Sequence, residues 1–106
     1  ASDVYKRQEY FDLAIEIEED SDKRAKYLLE KADAYRISKN YNSAINYFTQ
    51  AITADDSYVE AYFGRAYCYE LIGDFVKSES DYRTSLMLDV KYMPSRQGMD
   101  RIMELQ

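Results

Sequence analysis

The stretch that decides the fold is residues 25–58, AKYLLEKADAYRISKNYNSAINYFTQAITADDSY, read against the equally long stretch after it, VEAYFGRAYCYELIGDFVKSESDYRTSLMLDVKY, residues 59–92. Laid over one another, Ala32, Tyr35 and Asp55 recur as Ala66, Tyr69 and Asp89. Conservative pairs fill the gaps: Lys31 with Arg65, Ile37 with Leu71, Tyr41 with Phe75, Phe48 with Tyr82, and Ile52 with Leu86. A period of about 34 residues marks a helix-turn-helix solenoid rather than a single-copy globule.

The apolar spacing inside each period is helical. Leu28, Ala32 and Tyr35 fall on one face, and Tyr62, Ala66 and Tyr69 repeat that stripe. Ala44, Ile45, Phe48, Ala51 and Ile52 form a second stripe after a break. Lys39-Asn40 and Gly73-Asp74 mark those breaks, with Asn and Gly suited to the left-handed conformation of a helix end. Asp55-Asp56-Ser57 links the two units and is expected to cap the next helix. After Tyr92, Pro94 suits a first helical turn. Met99, Ile102 and Met103 share a stripe, so residues 94–105 read as a terminal helix.

These residues carry a resemblance to the tetratricopeptide repeat, in two copies, 25–58 and 59–92. The first copy shows the family's large-small-aromatic order as Leu28, Ala32, Tyr35, Tyr41, Ala44, Phe48 and Ala51. The second shows it as Tyr62, Ala66, Tyr69, Gly73, Phe75, Tyr82 and Leu86. There are departures. Leu28 and Tyr62 stand where the family often has Trp, and Lys31 and Arg65 replace a usual Leu. Ser78 and Ser85 replace small alanines, and Asp56 and Val90 stand where Pro is common. The resemblance implies an all-α fold of antiparallel helix-turn-helix repeats, stacked as a short right-handed superhelical solenoid. Phe11, Ala14, Ile15 and Ile17 read like the end of a preceding repeat helix over 9–20, and residues 93–106 as a capping helix or a truncated third repeat. Residues 1–8, ASDVYKRQ, resemble a one-frame translation of a transposase library adapter used in shotgun sequencing. They are left out of functional reasoning, with the natural sequence expected to begin near Glu9, inside an element.

Composition narrows the function. The net charge of −6 and pI near 4.6 argue against nucleic-acid binding and against an acidic membrane surface. No apolar run approaches the roughly 20 residues that span a bilayer. Only Cys68 is present, which allows no internal disulfide and leaves a reducing, cytoplasmic setting as the default. The chain has no histidine, and its three glycines, at 64, 73 and 98, are too far apart for a phosphate loop. No catalytic residue, metal site or cofactor is expected. The carboxylates Glu16, Glu18, Glu19, Asp20 and Asp22 lack the alternation of a calcium loop and read as a solvated helix end. Cys68 has aromatic and acidic neighbours in mid-helix, which points to a packed side chain.

Twelve tyrosines and no tryptophan suggest a recognition surface. Tyr35, Tyr41, Tyr62, Tyr69 and Tyr82 occupy repeat core slots, whereas Tyr67 and Tyr47 lie off the packing stripe. In the family, the first helix of each repeat lines a concave face that holds peptides or helices of partner proteins. The faces opposite the packing stripes are Lys26, Leu29, Asp33 and Arg36, then Glu60, Phe63, Tyr67 and Glu70. Some members clamp a chaperone's C-terminal carboxylate with Lys and Asn. Here those positions hold Leu29, Asp33 and Gly64, with Glu60 adding negative charge, which disfavours such a tail. A peptide with an apolar anchor and charges of both signs fits better. The competing reading is a structural segment of a larger protein with no ligand of its own.

Overall fold

A computed structural model of the chain describes residues 21–105. Among the described residues five helices follow one another: α1 over residues 21–37, α2 Tyr41–Ala54, α3 Val59–Leu71, α4 Phe75–Leu88 and α5 Met93–Leu105. From α2 onward each helix packs on its sequence neighbour, and α3 also touches α5. The fold is all-α, built of helix-turn-helix repeats. The sequence expectations for residues 1–20, including the adapter-like segment and the preceding helix, lie outside the described residues.

The core repeats with the sequence. Ala32, Ala44, Phe48 and Cys68 form one buried cluster, and Ala66, Tyr82 and Ile102 form its counterpart one period on. In each, a ring from the second helix of a pair lies on a glycine of the following helix, Phe48 on Gly64 and Tyr82 on Gly98. A Cβ at either glycine would collide with the ring. The serines that interrupt the alanine pattern are buried and satisfied. Ser78 Oγ donates to the Ala66 carbonyl at 2.7 Å. Where Ala51 and Ala61 pack together in the first junction, Ser95 Oγ donates to Ser85 Oγ at 2.7 Å in the second.

The turns show two corrections. Lys39, not Asn40, takes the left-handed conformation, with φ of 65°, at the position where the next turn has Gly73 with φ of 85°. Asn40 N–H donates to the Tyr35 carbonyl and Lys39 N–H to that of Arg36, which closes the α1 end with paired bonds. Expected as a cap, Asp55 instead accepts from Ser57 N–H at 3.0 Å within the linker, and the N-cap of α3, Tyr58, makes no side-chain cap bond. Asp89 does the same for Lys91 at 3.1 Å. A carboxylate does cap α4, where Asp74 accepts from Lys77 N–H at 3.2 Å. At the C-terminal end α5 begins one residue before Pro94, and Met103 is exposed rather than on the packed stripe of Met99 and Ile102.

Arg65, a departure from the repeat pattern, has a partner on each side. Its Nε and a terminal nitrogen donate to the two Asp81 carboxylate oxygens at 2.7 and 2.8 Å, and its other terminal nitrogen to Thr49 Oγ1 at 3.2 Å. One guanidinium thus joins α2, α3 and α4. Arg65→Ala would leave the buried Asp81 carboxylate without its cation, at an expected cost of about 3 kcal/mol, while Arg65→Leu with Asp81→Leu should cost under about 1 kcal/mol. Urea unfolding of the two variants checks the contrast. For Cys68, burial pushes the thiol from 9.0 up to about 11. The unfolded chain ionises first, so this contribution to stability is whole below about pH 9 and lost as pH rises through about 11. Thermal melting across that window should fall less steeply for Cys68→Ser than for the parent chain.

Candidate functional site

The residues assigned to the first-helix faces fall into two groups. Lys26 and Glu60 are exposed and form no ion pair among the described residues. Leu29 is half-buried and packs against both the Ala32–Phe48 cluster and the Leu28–Ala51–Ala61 cluster, so it belongs largely to the core. Arg36 Nε reaches Asp33 Oδ1 at 3.4 Å, a long contact between two partly exposed groups. Exposed pairs of this kind contribute little to stability.

The remaining residues form an aromatic cluster. Phe63 is half-buried against Ala66, Tyr82 and Ile102. Tyr67 stacks on it with ring centroids 6.0 Å apart, and Tyr92 meets it edge-on at 5.8 Å. Two cations from other helices approach Tyr67: Arg36 of α1 at 5.9 Å from the ring centroid and Arg101 of α5 at 5.8 Å. A guanidinium at this distance is attracted to the ring's negative face. The cluster therefore draws on α1, α3 and α5 and on the turn before α5.

Glu70 anchors the far end of the cluster. Arg101 donates to its two carboxylate oxygens at 2.9 and 3.1 Å, and the Tyr82 hydroxyl donates to Glu70 Oε1 at 2.8 Å. Burial, then the bond to Glu70, holds the Tyr82 hydroxyl far above its ordinary range, so it remains a donor. Tyr92 is raised too, first by burial and then by Glu60, Asp33 and Asp89.

Sequence reasoning missed Arg101 and Tyr92. Both were reachable through the period, because Tyr92 repeats Tyr58 one period on and Arg101 falls one period after Tyr67. The other tyrosine set aside as off-stripe, Tyr47, stacks on Tyr35 at 5.4 Å with Lys31 Nζ 4.8 Å above it. It serves the α1–α2 packing. Of the five tyrosines given core slots, only Tyr82 is fully buried; Tyr62 is half-exposed and donates its hydroxyl to the Asp56 carbonyl at 3.0 Å.

The described residues contain no group of three or more carboxylate or thiol side chains placed to hold a metal ion. Asp22 is exposed, and the other carboxylates of the acidic run lie outside the described residues. None of the described helices is long and apolar enough to cross a membrane.

Comparison with known proteins agrees with this architecture. Residues 25–58 match the family model of the tetratricopeptide repeat, the same limits as the first sequence period. The mouse protein DnaJ homolog subfamily C member 7 is 32% identical over 76 residues, covering 72% of this chain and 15% of that protein. Among solved structures, the Arabidopsis OM64 TPR domain superposes with a TM-score of 0.77 at 23% identity, covering 79% of this chain and 69% of that one. The first TPR of Spaghetti (RPAP3), bound to HSP90 peptide SRMEEVD, superposes with a TM-score of 0.75 at 25% identity, covering 76% and 64%. Such domains are generally non-catalytic scaffolds for protein–protein interaction. With the repeat period, the recurring core and these likenesses in agreement, the chain is a tetratricopeptide-repeat domain protein.

Proposed function

We propose that the chain is a non-catalytic interaction module that holds a peptide or helix of a partner protein along the concave face formed by α1, α3 and α5. The carrying observation is the Tyr67 ring, stacked on Phe63 and approached by Arg36 and Arg101 from two other helices. Tyrosine and arginine, with tryptophan, are enriched among the side chains that dominate binding energy at interfaces. The partner segment has an apolar anchor, seated on Phe63, Tyr67 and Tyr92, and charges of both signs to meet Lys26, Arg36, Asp33 and Glu60.

A chaperone tail held by its terminal carboxylate is not the expected partner. The solved relative carries the peptide SRMEEVD, whereas the clamp positions here are Leu29, Asp33 and Gly64. Residues 59–92 act as the second repeat. The helix after them acts as a cap rather than a third repeat, because the exposed Asp100 stands where Ala66 packs on Tyr82 and Ile102 in the second copy. A purely structural role within a longer protein is the second reading. Supporting it, Leu29 and Phe63 are already half-engaged in the core, and the chain spans only 15% of its mouse relative.

Selection of a displayed random-peptide library on the immobilised chain tests these readings. Binders with an aromatic or aliphatic anchor flanked by acid and base are expected. Phe63→Ala with Tyr67→Ala should weaken them more than about tenfold, with far-UV circular dichroism unchanged. Tyr67→Ala alone, which touches less of the core, should give a smaller loss in the same direction. Equal binding by parent and double variant would rule out this face, and failure to enrich any peptide would favour the structural reading.

A further inference from the structure

The outer side of α4 carries chemistry that the repeat does not require. Val76, Glu79, Ser80, Arg83, Thr84 and Met87 line a shallow open groove of about 300 Å³ along it. Their spacing, i, i+3, i+4, i+7, i+8 and i+11, keeps them on one side of the helix. Val76 and Met87 are each 81% exposed. In α2, one period before Val76, Ser80, Thr84 and Met87, stand Asn42, Asn46, Gln50 and Thr53, all exposed and polar. The ends of this face are therefore polar in one copy, as Asn42 and Thr53, and apolar in the other, as Val76 and Met87.

We propose that this face docks a second copy of the chain, with two α4 helices meeting antiparallel about a two-fold axis near residues 81 and 82. The face is close to a palindrome: an apolar residue at each end, a charge and a small polar residue inside each. Antiparallel pairing sets Val76 against Met87 of the second copy and brings Glu79 of one chain towards the Arg83–Thr84 turn of the other. Glu79 and Arg83 already pair within the helix at 2.6 Å. Two such pairs approaching head to tail make a ring of alternating charges, so the surface complements itself as a two-fold contact must. Ser80 lies near the axis and is small enough to let the helices approach to about 8–10 Å. One helix face buries less than about 1,200 Å², which places the contact among weak, reversible associations. This inference is independent of the peptide-binding reading, because no residue of the Phe63–Tyr67 cluster takes part.

Sedimentation equilibrium of the full chain from micromolar to millimolar concentration tests it. A monomer–dimer equilibrium in the high-micromolar range is expected. Glu79→Arg and Arg83→Glu should each abolish the dimer, because each sets like charges against one another across the axis. An equimolar mixture of the two should dimerise again, since one chain then presents only positive and the other only negative charge. Val76→Ser with Met87→Ser should weaken association at least about tenfold. All four positions point outward, and circular dichroism on each variant establishes that it is folded. A parent chain that stays monomeric into the millimolar range overturns the proposal, as does a mixture that stays monomeric, or a dimer indifferent to Val76 and Met87.

Discussion

The structure depends on a steric constraint: a large ring must lie flat against a helix that offers no Cβ. Phe48 meets Gly64 and Tyr82 meets Gly98 in this way, and the two contacts lie one period apart. Each brings the second helix of a pair close to the next first helix, close enough for the small residues beside it to touch. Ala51 and Ala61 do so in the first junction, and Ser85 and Ser95 in the second. Without the glycines the helices would stand further apart and the small residues would leave voids. Interiors pack too densely to tolerate such gaps cheaply. The stacking of repeats is thus set by a few positions rather than by the apolar content as a whole.

The aromatic face inherits its geometry from that contact. Seating Tyr82 on Gly98 positions α5, and α5 carries Arg101 to Glu70 and over the ring of Tyr67. The Tyr82 hydroxyl bonds the same Glu70 carboxylate from inside. One side chain therefore works on both sides of the helix layer, with its ring in the core and its oxygen beneath the surface charges. Such networks are stiff when fully satisfied, and among the described residues no buried side-chain polar atom lacks a partner.

Much of this was legible in the residues. The period gave the helices and their order, and the alanine, cysteine and ring positions of the core follow from it. The turns were harder, because chemistry at the level of residue type favoured Asn40 for the left-handed position. In the chain, position along the turn won over side-chain preference, and Lys39 accepts φ of 65° because the following bonds require it. Asp55 misled for a related reason: a carboxylate near a helix start can close the linker instead of the helix, and backbone spacing decides which. On the candidate face, helical spacing placed residues correctly on one side but could not show which were already engaged. Leu29 is drawn into the core, while Arg101 enters from a helix whose part in the face becomes evident only when the period is carried one step further.

The Glu70–Arg101 pair has a consequence for selectivity. Both ions sit at the edge of the aromatic cluster with their partners already chosen. A visiting segment gains little by offering one of them a new charge. One that covers them with hydrocarbon loses more, since it strips water from an ion pair and returns no hydrogen bond. On the proposed binding face the pair would act as a filter by exclusion, tolerating segments with a polar group at that point and rejecting greasy ones, whatever the anchor beside them.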